Sequence, residues 1–138
     1  TAPFHLTQLL HGLLSKGTNA SVVNVGSIYG RVGPDWALYE GLPMSNPAAY
    51  AASKGGLLQL TRWLAATLAP TIRVNIVSPG GIQRGQSTEF RERYEKKTPL
   101  GRMAQEGDVV GQIVNCLSDA SLYVTGQEIV VDGGYSSI

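Results

Sequence analysis

Tyr50 and Lys54 stand four residues apart in the stretch YAASK, and these two residue types can perform acid-base chemistry together. Side chains at positions i and i+4 of a helix lie on the same face, one above the other. An ammonium group beside a phenol favours the phenolate and lowers the phenol pKa from about 10 towards neutral pH. Tyr50 could then exchange a proton with a reacting oxygen atom. The alternative is a surface pair on an amphipathic helix that takes part in no reaction.

The hydrophobic pattern around this pair predicts helices that alternate with strands. Apolar residues with helical spacing predict helices over residues 3–16, 48–69 and 107–118. Runs rich in β-branched residues predict strands over residues 21–25, 72–78 and 127–134. Such alternation is typical of an α/β fold in which helices cover both faces of a parallel sheet.

Two further features fall at the ends of the predicted strands. Ser27 follows the first strand, and SPGG (78–81) ends the second. The carboxyl ends of parallel strands meet at one edge of a sheet, and ligands bind there in open α/β folds. We therefore expect Ser27, Tyr50 and Lys54 to lie with this turn on the same rim. A serine hydroxyl there could hold a carbonyl or hydroxyl oxygen while Tyr50 exchanges its proton.

Five stretches together resemble the short-chain dehydrogenase/reductase family in its simple, non-extended form. They are SVVNVGS, YAASKGGLLQLTRWLA, RVNIVSPGGI, PLGRMAQEGDVV and YVTGQEIVVDGGY. The resemblance implies the carboxyl-terminal part of a Rossmann-type doubly wound parallel sheet, with about three strands and flanking helices. It also implies hydride transfer between NAD or NADP and an alcohol/carbonyl substrate.

The same resemblance implies a role for each candidate site residue. Tyr50 would be the general acid/base, and Ser27 would orient the substrate oxygen. Lys54 would assist Tyr50 and hydrogen-bond the nicotinamide ribose, so that both Tyr50 and Lys54 also contact the cofactor. The turn after the second strand would lie against the nicotinamide, through residues Pro79, Gly80, Gly81 and Ile82.

The glycine-rich turn with which this family binds the dinucleotide phosphates is not found in the 138 residues. The resemblance thus indicates that residues 1–138 form a single, partial domain corresponding to the carboxyl-terminal half of a family member. We expect the chain alone to bind a dinucleotide weakly or not at all, and to be inactive. A second hypothesis is a non-catalytic assembly or interaction module derived from the fold, although such a module would need none of the three catalytic residues.

The spacing between Ser27 and Tyr50 is longer than is usual in the family. Tyr39 lies nearer the usual distance, but the residue four positions beyond it is Pro43 and not lysine, so Tyr50 remains the predicted acid/base. The enlarged loop could bring aromatic and apolar side chains to the substrate, or these side chains could simply pack the loop down. They are Tyr29, Trp36, Tyr39 and Met44.

The charged stretch TEFRERYEKK (88–97) predicts a helix. Its charges are most simply those of a solvated helix face. In the family that the chain resembles, this region often forms a mobile substrate lid, so a lid is the alternative interpretation.

The composition argues against several classes of partner. A net charge of +1 gives no basic surface for nucleic acid or for an acidic membrane. His5 and His11 have no ligands at metal-binding spacing, so no metal site is predicted, and the single Cys116 suggests a reducing, cytoplasmic location. The resemblance implies a homodimer or homotetramer that assembles through the helices around 3–16 and 48–69 and the last strand.

Overall fold

The computed structural model describes residues 2–138. Its helices are α1 (Ala2–Leu14), α2 (Ala48–Leu68), α3 (Thr88–Lys97) and α4 (Glu106–Leu117). Its strands are β1 (Ser21–Val25), β2 (Arg73–Pro79) and β3 (Glu128–Val131). Each predicted helix and strand is present, with ends that differ by a few residues.

The three strands form one parallel sheet in the order β1-β2-β3. Val23 of β1 is paired with Asn75 of β2, and Val77 of β2 is paired with Ile129 of β3. Every residue of the central strand β2 is buried, as expected for a strand covered on both faces. Its polar residues Arg73 and Asn75 are buried with hydrogen-bond partners, the Cys116 and Val124 carbonyls. The predicted α/β fold with a parallel sheet of about three strands is confirmed.

Helices cover both faces of the sheet, as the alternating pattern predicted. On one face, Leu64 of α2 packs with Val74 of β2 and with Phe4 of α1. On the other face, Val77 of β2 packs with Val109 and Cys116 of α4. Full burial of each such side chain contributes about 1.5–3 kcal/mol, so these clusters fix the helices on the sheet.

Two contacts fix α2 relative to the end of β1, and both bear on the site. The amide of Asn24 in β1 donates a hydrogen bond of 2.8 Å to the Thr61 hydroxyl of α2. Gly30, in a short turn of 3-10 helix after β1, lies so close to α2 that a Cβ there would be 2.8 Å from the Lys54 carbonyl carbon. The turn after β1 and the first turns of α2 therefore sit backbone against backbone.

The outward face of α1 is apolar. Leu9 and Leu13 keep 80% and 69% of their surface exposed, and Leu6 is exposed beside them. Contiguous apolar surface of this kind often marks a protein-protein contact. Among the described residues, no helix has both the length and the apolar character that crossing a membrane requires.

Candidate functional site

A cavity of about 510 Å³ opens at the carboxyl ends of β1 and β2. Its walls come from the segment after β1, the turn after β2, the start of α2 and the inner face of α3. This volume is typical of a small-molecule site, and the position is the one at which parallel sheets bind their ligands.

Ser27 lies two residues beyond the end of β1 and is buried in the cavity wall. Its Oγ accepts a hydrogen bond of 3.2 Å from the backbone N–H of Tyr29, which caps the short helical turn over 28–30. A hydroxyl has one donor and two acceptor positions, so this contact leaves the O–H proton available to a ligand oxygen.

Tyr50 and Lys54 enter the cavity from the first turns of α2. The helix begins directly after Pro47, whose carbonyl accepts a hydrogen bond of 2.9 Å from the Tyr50 N–H. The Lys54 ammonium lies 5.7 Å from the centroid of the Tyr50 ring and donates a 3.0 Å hydrogen bond to the Val25 carbonyl at the end of β1. The structure thus places the hydroxyl, the phenol and the ammonium group on the walls of one cavity.

The turn after β2 forms the next wall, through Pro79, Gly80, Gly81 and Ile82. The Gly81 N–H donates a 2.6 Å hydrogen bond to the hydroxyl of Tyr94 in α3. A Cβ at Gly81 would lie 2.8 Å from the Tyr94 ring, so this close approach requires glycine. Burial raises the pKa of Tyr94, which keeps it a neutral phenol that accepts from the turn.

The loop before α2 supplies three of its four predicted residues to the cavity, namely Tyr29, Tyr39 and Met44. The hydroxyls of Tyr29 and Tyr39 are 2.9 Å apart, and burial together with this hydrogen bond raises the pKa of Tyr29. Trp36, the fourth, is not among the described residues that line the cavity. It is largely exposed, and its ring lies 5.9 Å from that of Tyr39. The loop therefore both packs on itself and faces the cavity.

Some lining residues were not predicted from the sequence, in particular Asn46, Gln86, Phe90 and Tyr94. Phe90 and Tyr94 are buried residues four positions apart in a charged helix, so α3 is more than a solvated face. That i, i+4 aromatic pair was a signal that could have identified them. For Asn46 no comparable pattern exists in the sequence.

Polar contacts hold α3 against the loop before α2. Arg93 Nη1 donates hydrogen bonds to the carbonyls of Glu40 (2.7 Å) and Ala37 (3.2 Å). Lys97 forms an ion pair with Asp35, and the hydrogen bond from Lys97 lowers the pKa of that carboxyl. Two walls of the cavity are therefore tied together by side chains that lie outside it.

Comparisons with known proteins agree with this arrangement. The sequence profile of the family described as Enoyl-(acyl carrier protein) reductase matches residues 1–136. Post-translational flagellin modification protein A of Campylobacter coli is 38% identical over 121 residues, covering 87% of this chain and 47% of that protein.

Solved structures are similar over nearly the whole chain. A short chain dehydrogenase from Leptospira borgpetersenii with bound NAD+ superposes with a TM-score of 0.89 at 42% identity, covering 97% of this chain and 52% of that one. A gluconate 5-dehydrogenase from Burkholderia cenocepacia, in complex with NADP and tartrate, superposes with a TM-score of 0.84 at 26% identity over 98% of this chain and 52% of that one. The chain spans about half the length of these proteins. With the parallel sheet, the cavity at its carboxyl edge and the matching profile, the chain belongs to the short-chain dehydrogenase/reductase family of oxidoreductases.

Proposed function

We propose that this chain carries the catalytic residues of an NAD(P)-dependent oxidoreductase that transfers hydride between a nicotinamide and an alcohol/carbonyl substrate. The observation that carries the proposal is the presence of Ser27, Tyr50 and Lys54 on the walls of one cavity at the carboxyl ends of the strands. The similar structures with bound NAD+ and with NADP support the choice of cofactor.

Each residue has a role that its position allows. Ser27 holds the substrate oxygen through its free O–H proton. In alcohol oxidation, the Tyr50 phenolate takes the hydroxyl proton while the carbinol carbon loses hydride; in the reverse direction, Tyr50 returns the proton to the carbonyl oxygen. Lys54 supplies positive charge beside the phenol. A bound nicotinamide would supply the hydride acceptor or donor.

The cavity has groups that suit a nicotinamide nucleoside. Pro79 and Ile82 offer apolar surface for a flat ring, with the backbone of Gly80 and Gly81 between them. The Lys54 ammonium, held at the end of β1, has further N–H protons with which it can bind ribose hydroxyls. These residues would hold the nicotinamide end of the cofactor.

The phosphate-binding part of the site is proposed to come from residues outside these 138. The chain spans about half the length of the relatives it matches, and its three strands would form half of a complete binding sheet. We therefore expect the 138-residue chain to bind NADH or NADPH weakly, or not at all, and to be inactive. Fluorescence titration of both cofactors, against this chain and against the complete natural protein, measures the difference. Equal, tight binding by both would contradict it.

The catalytic role of Tyr50 is tested by Tyr50→Phe in the complete protein, with oxidation followed by NAD(P)H absorbance over a panel of alcohols. Removal of a general acid/base should lower kcat by about 10²–10⁴-fold. The matched control is Tyr39→Phe, since Tyr39 lines the same cavity but is paired with Tyr29. The proposal fails if Tyr39→Phe abolishes turnover while Tyr50→Phe keeps it.

The exposed leucines of α1 favour self-association as well. We propose that copies of the protein form a dimer or tetramer in which the face around Leu9 and Leu13 is covered. Leu9→Glu should lower the mass measured by light scattering after size exclusion. Gln8→Glu adds the same charge at an exposed position about 100° around the helix from Leu9 and should not lower it. If the protein assembles and yet neither binds cofactor nor turns over alcohols, the assembly-module hypothesis replaces the enzyme.

A further inference from the structure

Two side-chain carboxamides line the cavity, those of Asn46 and Gln86, and they differ in their hydrogen bonds. Gln86 uses both ends of its amide: Nε2 donates to the Ile82 carbonyl (2.8 Å), and Oε1 accepts from the Arg84 N–H (2.7 Å). Asn46 keeps only 8% of its surface, and its Nδ2 is fully buried with no hydrogen-bond partner among the described residues. Gln86 thus stabilises its own turn, whereas the Asn46 amide is left free.

A buried N–H group without an acceptor lowers the stability of a fold, because the hydrogen bond that it made to water in the unfolded chain is not replaced. Groups of this kind are few in native proteins, and each calls for an explanation, such as a catalytic role, an ordered water or a bound ion. Arg73 Nε and Glu128 Oε1 also lack a partner among the described residues, but of the three residues only Asn46 lines the cavity. Asn46 directly precedes Pro47, after which α2 begins, and it stands four residues before Tyr50. Its unused hydrogen-bonding capacity therefore lies in the wall that also presents Tyr50.

The remaining lining residues limit the kind of ligand that this amide could bind. Within the described residues, Lys54 is the only charged side chain that lines the cavity, and its ammonium already donates to the Val25 carbonyl. A carboxylate enclosed there would lack a second cation, which is costly. Aromatic surface from Tyr39 and Phe90 suits the apolar face of a ring.

We propose that the side-chain amide of Asn46 is a substrate-binding group, and that the cavity accepts a neutral, hydroxyl-bearing substrate in preference to a carboxylate. The proposal rests on the function proposed above and specifies its substrate class. A half-turn of the Asn46 amide exchanges its nitrogen and oxygen, so this group can donate to a carbonyl or hydroxyl oxygen or accept from a hydroxyl proton.

The test uses Asn46→Leu, which keeps the size of the side chain and removes the free amide, with Gln86→Leu as the matched control. Both are made in the complete protein with saturating nicotinamide cofactor. Thermal unfolding is measured first, without other ligand. Calorimetric titration then uses a neutral cyclic polyol, myo-inositol, and a cyclic polyol that carries a carboxylate, quinate.

We expect Asn46→Leu to keep or raise the melting temperature and to weaken myo-inositol binding by about tenfold, as loss of one hydrogen bond predicts. Gln86→Leu should instead lower the melting temperature, because two internal hydrogen bonds are lost. Wild-type protein should bind myo-inositol more tightly than quinate.

Unchanged myo-inositol binding by Asn46→Leu overturns the role of Asn46, whatever its melting temperature. Tighter binding of quinate, or no binding of myo-inositol by the wild-type protein, overturns the substrate class. Tyr50→Phe keeps the Asn46 amide, and Asn46→Leu keeps the Tyr50 hydroxyl. Turnover by Tyr50→Phe therefore reports on the proposed function, and binding by Asn46→Leu reports on this inference.

Discussion

Arg93 is the side chain whose removal should most clearly loosen the cavity without touching the residues that line it. It stands on the outer part of α3, and its Nη1 reaches three backbone carbonyls of the loop before α2. Arg93→Ala therefore removes these contacts between two cavity walls, while the Lys97–Asp35 ion pair remains. Phe90 and Tyr94, which face the cavity from the same helix, stay in place.

The size of the effect follows from the geometry. The oxygen of Glu40 lies 2.7 Å from Nη1, and those of Ala37 and Leu38 lie at 3.2 and 3.4 Å. One Nη carries two hydrogens, so two good hydrogen bonds is the maximum. A hydrogen bond to a charged group contributes about 1.5–3 kcal/mol, but the Arg93 side chain is 30% exposed, which reduces the pair to about 2 kcal/mol in total.

The assay is hydrogen exchange of the loop amides in the complete protein. The N–H groups of Leu38, Tyr39 and Leu42 are bonded within the loop at 3.0–3.2 Å and exchange when it opens locally. About 2 kcal/mol corresponds to roughly thirtyfold faster exchange of these amides in Arg93→Ala. Arg93→Lys keeps the charge but loses the forked geometry, so its loop amides should exchange at a rate between those of the wild type and Arg93→Ala.

Arg91→Ala is the control, because among the described residues Arg91 makes only a long ion pair of 3.8 Å with Glu95 on the same helix. In Arg91→Ala, the amides of Leu38, Tyr39 and Leu42 should exchange at the wild-type rate. Equal exchange in wild type and Arg93→Ala would refute the reasoning. So would equal acceleration by Arg91→Ala, since loss of helix charge alone would then explain the effect.

Three further predictions concern stability. The hydrogen bond from Arg102 lowers the pKa of Asp108 from 3.8 to about 2. The Asp108 carboxylate therefore contributes fully to folding stability above pH 3.8, and this contribution is lost as the pH falls towards 2. The melting temperature of Asp108→Asn should lie below that of the wild type at neutral pH and meet it near pH 2. Gly81→Ala, whose Cβ would lie 2.8 Å from the Tyr94 ring, should cost about 1–3 kcal/mol in urea unfolding, and an unchanged midpoint would contradict the packing described here. Gly111→Ala, in α4 with no atom within 4 Å of its Cβ, should stabilise by about 0.4–1 kcal/mol in the same assay, and a loss would show a contact that this structure does not contain.

The features that the sequence could predict are local or repetitive. The β-branched residues of β2 and the apolar spacing along α2 predicted these elements directly, because a buried strand or helix face leaves a local pattern in the sequence. The shared rim of Ser27, Tyr50 and Lys54 followed from a general property of parallel sheets, namely that their carboxyl ends meet at one edge.

The features that it could not predict depend on contacts between distant parts of the chain. Arg93 binds a carbonyl 56 residues away, and its identity in a charged helix gives no sign of that partner. The Asn46 amide is distinguished from that of Gln86 only by what surrounds it in space. Trp36 was grouped with the other aromatic residues of its loop, although it lies at the surface, because residue type alone does not fix the direction of a side chain.

The most direct test of the central claim is a crystal structure of the complete protein with NAD or NADP bound. We predict that the nicotinamide ring lies against residues Pro79–Ile82, with Lys54 Nζ bonded to the ribose and the Tyr50 hydroxyl facing the reactive face of the ring. A well-ordered nicotinamide bound elsewhere, with no contact to Tyr50 or Lys54, would contradict it.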